Sequence, residues 1–89
     1  MPRAEVEIVN KLGLHARASA RLTQLAGEFS CEVWMERGSR RINAKSIMGV
    51  MMLAAGKGSK VIVDTAGEQE EEALQAILRL IEDRFGETE

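Results

Sequence analysis

The sequence predicts an α+β fold in which three helices cover one side of a four-stranded, mostly antiparallel sheet. Two observations support this: the predicted strands each have one polar face, and three other segments repeat apolar residues at helical spacing. These segments follow one another in the order βαββαβα. A chain of 89 residues is long enough to bury one core, so we expect a single domain over residues 1–89.

The first half of the chain is predicted to form a strand, a helix and a β-hairpin. Apolar and polar residues alternate in the strand segments, whereas the apolar residues of the helix recur with a period near 3.6. A glycine marks the end of the helix, and turn-forming residues join the hairpin strands. The predicted elements are a strand at Ala4–Val9, a loop at Asn10–Gly13, a helix with apolar positions from Leu14 to Phe29 and a stop at Gly27, and hairpin strands Ser30–Glu36 and Arg40–Ala44 around a turn at Arg37–Ser39.

The second half is predicted to form a short helix, a strand and a long final helix. Ser46 suits the N-cap of the short helix, since its hydroxyl can accept a hydrogen bond from a first-turn amide. Glutamates crowd the first turn of the final helix, where the helix dipole favours them. The predicted elements are the short helix with Ile47, Val50 and Met51 on one side, a break at Gly56–Ser59, a β-branched strand at Lys60–Thr65, a turn at Ala66–Gly67, and a final helix with Leu74, Ile77, Leu78, Ile81 and Phe85 on one face, ended by Gly86.

Composition and charge exclude several classes of function. Twelve basic and fourteen acidic side chains give a net charge of −2, and aromatic residues make up 3%, so nothing indicates nucleic-acid or membrane binding. Cys31 is the only cysteine, and we expect it to be a small buried hydrophobe without a disulfide. One cysteine and one histidine do not make a metal site. We therefore expect no metal or cofactor. No segment resembles a signal peptide or a membrane span, so we expect a cytoplasmic protein.

The stretch Gly13–Arg17 (GLHAR) carries the chemistry of the sequence. It leads into the first helix, so the amides of Ala16 and Arg17 lack intrahelical acceptors and can bind an anion. His15, the only histidine, offers a nucleophilic imidazole, and the Arg17 guanidinium offers donors that suit a phosphate. Gly13 provides a position where a positive φ or a close backbone approach has no steric penalty. Together these residues predict a site for a phosphoryl group carried on His15.

The same stretch, followed by Lys45–Met51 (KSIMGVM), resembles the two motifs of HPr, the family of histidine-containing phosphocarrier proteins of the bacterial phosphotransferase system. The resemblance spans nearly the whole chain. Two positions depart from the family pattern: Ala18 stands where the family usually has proline, and Leu12 stands where many members have a polar residue. Both the sugar-uptake branch and the nitrogen-related branch of the family stay open.

The resemblance implies a fold and a function. The implied fold is an open-faced β-sandwich with its four strands in the order 1-4-2-3. The implied function is that of a phosphocarrier, in which His15 accepts a phosphoryl group through Nδ1 from phospho-Enzyme I, charged from phosphoenolpyruvate, and passes it to a IIA-type protein or domain. Arg17 and the amides of Ala16 and Arg17 would hold the phosphoryl group. We expect a monomeric carrier rather than a stand-alone enzyme.

The second motif predicts a regulatory site and a docking surface. In some branches of the family a dedicated kinase phosphorylates the serine that matches Ser46, so two interpretations stay open: an N-cap alone, or an N-cap that is also a phosphorylation site. The apolar residues that follow are more than one short helix can bury, and we expect Met48 to be exposed. An alternative assigns Ile47, Val50 and Met51 to the core. The residues expected to dock partners are Ala20, Ile47, Met48 and Met51.

Two other functions fit the sequence less well. A nucleic-acid-binding module of this size would present aromatic side chains on its sheet, and the sequence has no tyrosine. A phosphoester hydrolase built on His15 and Arg17 would need a further acid or base, and none lies near them in the sequence. A distant carboxylate could still fold beside His15. A phosphocarrier needs no such group, so it is the leading prediction.

Overall fold

The fold is that of a computed structural model, which describes residues 2–88. Its elements follow the predicted order βαββαβα, with a short 3₁₀ helix after the last α-helix. None of the helices in these residues is long and apolar enough to cross a membrane. The strands are β1 (Arg3–Glu7), β2 (Glu32–Arg37), β3 (Arg40–Asn43) and β4 (Lys60–Ala66), and the helices are α1 (Ala16–Gly27), α2 (Ile47–Met52), α3 (Glu70–Glu82) and the 3₁₀ helix (Arg84–Gly86).

The strands of residues 2–88 form one antiparallel sheet in the order β1-β4-β2-β3, which confirms the order that the family resemblance implied. Their alternation places one set of side chains against the helices and the other set on the open face. Helix α3 packs on β1 and β4, and α1 packs against α2 and α3. Cys31 is buried, as predicted. The largest buried side chains of the core are Ile8, Leu22, Val33, Met35, Val50, Leu53, Val61, Val63, Ile77, Ile81 and Phe85.

Several element boundaries differ from the sequence prediction. Helix α1 ends at Gly27 as expected, but Phe29 lies beyond it and packs against the core from the following loop. Strand β1 ends before Ile8, because Ile8 hydrogen-bonds to the loop that precedes β4. The hairpin strands and β4 shift by one or two residues. None of these shifts moves an apolar residue to the wrong face of the sheet.

The end of the last helix differs most from the prediction. Helix α3 ends at Glu82 and not at Gly86, so that prediction is wrong. Arg84 and Phe85 have left-handed backbone angles, with φ of 57° and 56°, and such residues cannot continue an α-helix. Phe85 is nevertheless buried, because the turn rather than the helical period directs it into the core. The reversal redirects the chain that follows.

Asp64 organises the open face of the sheet. Its side chain is 3% exposed and accepts hydrogen bonds from Arg41 at 2.8 and 3.1 Å and from Arg3 at 3.2 Å. The hydrogen bonds from Arg41 raise the pKa of that guanidinium above its ordinary value. Arg41 also stacks over Trp34, with its guanidinium carbon 5.2 Å from the ring centroid. An exposed arginine on the edge strand therefore covers a buried acid.

Candidate functional site

His15 is the N-cap of α1, at the start of the helix where the sequence places it. Its backbone is extended, with φ of −76° and ψ of 179°, and its Nδ1 accepts a hydrogen bond from the Arg17 amide at 3.2 Å. Since a backbone N–H can only donate, Nδ1 is the unprotonated nitrogen of the neutral ring. The N-terminus of α1 therefore presents a nucleophilic nitrogen beside first-turn amides.

Gly13 holds the loop before His15 against the chain that joins α2 to β4. It has a left-handed φ of 65°, and a Cβ on it would lie 2.5 Å from the carbonyl oxygen of Ala55. The next residue, Leu14, donates its amide hydrogen to that same oxygen at 2.9 Å. The sequence suggested either a positive φ or a close backbone approach at Gly13, and the structure shows both.

The other ring nitrogen of His15 contacts a residue that has no signal in the sequence. Glu87 Oε2 lies 2.8 Å from Nε2, and Glu87 Oε1 accepts a hydrogen bond from Asn10 Nδ2 at 3.1 Å. The side chains of His15 and Glu87 are 27% and 19% exposed, so the contact is partly shielded from water. The two residues are 72 positions apart, and no local spacing reveals the pair.

The Glu87 carboxyl is stabilised in its ionised form. Desolvation by burial raises its pKa, but hydrogen bonds from His15 and Asn10, together with the positive charge of Arg21 and that of His15 when its ring is protonated, outweigh that effect. The pKa of Glu87 therefore lies below its ordinary value. Because this folded-state pKa is lowered, the contact stabilises the fold at neutral pH and loses its contribution as the pH falls through that pKa.

A pocket of about 300 Å³ opens beside the imidazole. Arg17 and His15 both line this pocket, the two residues that the sequence predicts for a phosphoryl site. Leu12, one of the two departures from the family pattern, lines the pocket and is 66% exposed, whereas Ala18, the other, is buried. The lining residues are Lys11, Leu12, His15, Arg17, Glu87 and Thr88.

Ser46 is the N-cap of α2, as predicted. Its hydroxyl accepts a hydrogen bond from the Gly49 amide at 3.1 Å. Helix α2 has six residues and turns only Val50 into the core, so the alternative that Ile47 and Met51 are core residues is wrong. Met48 is 68% exposed, which confirms the expectation for that residue. The exposed side chains form the α2 apolar surface, which consists of Ile47, Met48, Met51 and Met52.

The predicted site residues lie on two neighbouring helices. His15, Ala16 and Arg17 meet at the N-terminus of α1, and Ala20 is exposed further along the same helix. Helix α1 packs against α2, which carries Ser46 and the α2 apolar surface. The predicted nucleophile and the predicted docking residues therefore belong to adjacent elements.

Comparison with known proteins identifies the family. A family model described as the phosphorylation site of the HPr component of the phosphotransferase system matches residues 2–83. The chain belongs to the HPr family. The phosphocarrier protein HPr of Cupriavidus necator is 61% identical over 89 residues, covering 100% of both chains. That of Neisseria meningitidis is 52% identical, also over 100% of both chains. HPr membership confirms the phosphocarrier class that the two motifs predicted.

Solved HPr structures share the fold. The crystal structure of HPr-C-His from Thermoanaerobacter tengcongensis matches with a TM-score of 0.96 at 45% identity, over 100% of both chains. HPr from Bacillus anthracis matches with a TM-score of 0.87 at 39% identity, over 90% of this chain and 95% of that chain. The open-faced βαββαβα sandwich is the HPr fold, as the resemblance implied.

Proposed function

We propose that this chain carries a phosphoryl group on Nδ1 of His15, takes it from phospho-Enzyme I and passes it to a IIA-type protein or domain. The state of the imidazole supports this proposal most directly. Nε2 is engaged by Glu87, and Nδ1 faces the first turn of α1 with an unprotonated lone pair. Such a nitrogen can form a phosphoramidate without first losing a proton.

The N-terminus of α1 is suited to hold the transferred group. The amides of Ala16 and Arg17 have no intrahelical acceptor, so the Arg17 N–H can move its hydrogen bond from Nδ1 to a phosphoryl oxygen. Arg17 lines the same pocket as His15, and its guanidinium can supply further donors for the dianion. These groups neutralise charge where the N–P bond forms, which is what phosphoryl transfer requires of a protein.

The position of Glu87 argues against a phosphoester hydrolase. A hydrolase needs a base that faces the phosphorus and activates water. Glu87 is a distant carboxylate of the kind such a reaction could recruit, but His15 Nε2 engages one of its oxygens and Asn10 the other. A phosphoryl group on Nδ1 would therefore be held on a carrier rather than hydrolysed.

Incubation with labelled phosphoenolpyruvate tests this function. With Enzyme I present, we expect stoichiometric label that is lost in acid, as phosphohistidine is, and we expect none without Enzyme I. A protein that takes up no label, takes it up without Enzyme I, or releases inorganic phosphate continuously would contradict the phosphocarrier proposal.

The proposed reaction also sets the context in which the chain works. Phosphoenolpyruvate is a cytoplasmic metabolite, so we place the protein in the cytoplasm, as a single-domain monomer over residues 1–89. One related structure, from Thermoanaerobacter tengcongensis at 46% identity, is described as an HPr dimer.

Two roles stay open for the acceptor, a IIA protein of sugar uptake or one of nitrogen-linked regulation, and the neighbouring genes would distinguish them.

The α2 apolar surface is the proposed docking site for Enzyme I and the IIA-type acceptor, together with Ala20 on α1. An exposed methionine cluster suits a surface that must meet more than one partner. Ser46 lies at the edge of this surface, at the start of α2. A phosphate placed there by a kinase would be tolerated by the helix but would put a charge at the interface.

Ser46→Asp is expected to slow phosphorylation of His15 by Enzyme I while the fold stays intact. Aspartate caps a helix as well as serine does, so the free energy of unfolding should stay within about 0.5 kcal/mol of wild type. The added charge must be desolvated on docking, so the affinity for Enzyme I should fall roughly tenfold. Titration calorimetry and thermal unfolding measure the two effects.

Two further variants separate the cap from the surface. Met48→Asp places a charge on the surface without touching the cap, and should weaken binding in the same way. Ser46→Ala removes the cap without adding charge, and should cost about 1 kcal/mol of stability with affinity unchanged. Wild-type affinity in Ser46→Asp would remove α2 from the docking site, and loss of the fold would make Ser46 chiefly structural.

A further inference from the structure

We infer that Glu87 is a positioning residue for His15. Its carboxylate fixes the neutral imidazole with the proton on Nε2, and it stabilises the cation that forms when a phosphoryl group joins Nδ1. The first half of this inference stands on the geometry of the ring, and the second half rests on the proposed function.

Two hydrogen bonds favour the same tautomer of His15. The Arg17 amide donates to Nδ1 at 3.2 Å, and Glu87 Oε2 lies 2.8 Å from Nε2. If the proton moved to Nδ1, two N–H groups would face each other and the Nε2 lone pair would face a carboxylate. The ring is therefore held in the form whose nucleophile is Nδ1.

The same contact matters when the N–P bond forms. The Nδ1 lone pair attacks phosphorus, the bond from phosphorus to the donor atom breaks, and the electron pair of that bond stays with the donor. No proton leaves His15, because Nε2 keeps its hydrogen, so the ring becomes an imidazolium. Glu87 then forms an ion pair with this cation, as a buried aspartate does behind the histidine of a serine-hydrolase triad. In onward transfer the electron pair of the N–P bond returns to Nδ1 and restores the neutral ring.

The backbone after α3 places Glu87 beside His15. Arg84 and Phe85 hold left-handed φ angles of 57° and 56°, which are unfavourable for residues other than glycine. Phe85 is fully buried, and Arg21 donates a hydrogen bond to its carbonyl oxygen. Asn10, also buried, donates to Glu87 Oε1 from the loop before His15. Burial of Phe85 and the hydrogen bond from Arg21 stabilise this unfavourable backbone conformation, and Asn10 holds the Glu87 carboxylate. These contacts indicate that the fold specifies the position of Glu87.

Positively charged side chains lie near the His15 ring. Lys11 and Arg17 line the pocket with His15, and Arg21 adds a positive charge near Glu87. These positive charges oppose formation of an imidazolium. Among the described residues that line the pocket, Glu87 is the only acid, and its pKa is lowered, so its ionised form is favoured.

Nitrogen-15 NMR of the unphosphorylated protein tests the tautomer. His15 is the only histidine, so both imidazole nitrogen signals belong to it, and their couplings to the two carbon-bound ring protons tell Nδ1 from Nε2. At a pH where the ring is neutral, we expect the wild type to show a protonated Nε2 and an unprotonated Nδ1. Glu87→Ala should show a mixture of the two tautomers. A wild-type ring with its proton on Nδ1, or Glu87→Ala with wild-type signals, would overturn the inference.

Transfer kinetics with Enzyme I test the stabilisation of the cation. Glu87→Gln keeps an oxygen acceptor for Nε2 but loses the charge, so it should keep the wild-type tautomer while its kcat falls about tenfold with KM unchanged. Glu87→Ala should be slower still. Glu68→Gln is the matched control. Glu68 is exposed and follows the C-terminal end of β4, so its substitution removes the same charge outside the site, and this variant should transfer at the wild-type rate.

The outcomes separate this inference from the phosphocarrier proposal. If the wild type takes up the phosphoryl group and Glu87→Gln keeps the wild-type kcat, the role of Glu87 is overturned and the carrier stands. If the folded wild type takes up none, the carrier proposal fails and the second half of the inference fails with it. The NMR result decides the first half in either case.

Discussion

His15→Ala is expected to accept no phosphoryl group from Enzyme I while remaining folded. His15 is the only histidine, so no second imidazole can replace it. Its side chain contributes to stability as an N-cap and as a partner of Glu87, and its removal should lower the free energy of unfolding by about 1 kcal/mol. Label from phosphoenolpyruvate and circular-dichroism melting measure the two effects.

His15→Asn separates the chemistry from the cap. Asparagine is a strong N-cap, but its amide nitrogen is not a nucleophile, so this variant should regain stability and still take up no phosphoryl group. Acid-labile phosphate in either variant would place the phosphorylated residue elsewhere and would remove His15 from the mechanism.

Local features of the site could be predicted from the sequence. The location of His15 at the start of α1 and the capping hydroxyl of Ser46 depend on hydrogen bonds that span two and three residues, so residue type and spacing are sufficient. The strand order β1-β4-β2-β3 needed the family resemblance as well. Alternation shows which face of a strand is buried but not which strands lie beside it.

Contacts between distant parts of the chain could not be predicted. In the sequence, Glu87 belongs to an acidic tail that resembles any solvated terminus, and only the fold shows that it reaches His15 across 72 positions. Asp64 accepts its hydrogen bonds from Arg41 and Arg3, which are 23 and 61 positions away.

The end of α3 was mispredicted for a related reason. Phe85 continues the apolar period of the helix, so the pattern alone extends the helix to Gly86. The helix ends earlier because the backbone reverses at Arg84, and this reversal is stabilised by burial of Phe85 and by a hydrogen bond from Arg21 on α1. Periodicity records which residues are buried, but not the backbone path by which they reach the core.

Gly13→Ala is expected to destabilise the protein by about 3 kcal/mol. Alanine at a φ of 65° is strained by about 1 kcal/mol. Its Cβ would also lie 2.5 Å from the Ala55 carbonyl oxygen and 2.7 Å from the Gly56 Cα, and both are backbone atoms that cannot rotate away as a side chain could. Relieving such an overlap costs about 1–3 kcal/mol more.

The displacement caused by Gly13→Ala should reach the active nitrogen. Leu14 donates its amide hydrogen to the same Ala55 oxygen that the new methyl group would contact. Moving the loop away from Ala55 breaks this hydrogen bond and shifts His15, the next residue, relative to Glu87. Phosphoryl uptake from Enzyme I should therefore slow even in the fraction of protein that stays folded.

Gly27→Ala is the matched control for Gly13→Ala. Gly27 is the last residue of α1, and a Cβ added there meets no other part of the protein within 4 Å. Alanine is a better helix former than glycine by up to about 1 kcal/mol, so stability should hold or rise and uptake should stay at the wild-type rate. Urea unfolding and the uptake assay compare the two variants. If the free energy of unfolding of Gly13→Ala lies within about 0.5 kcal/mol of wild type, a change typical of neutral surface sites, the loop accommodates the methyl group. Gly13 would then not hold His15 in place.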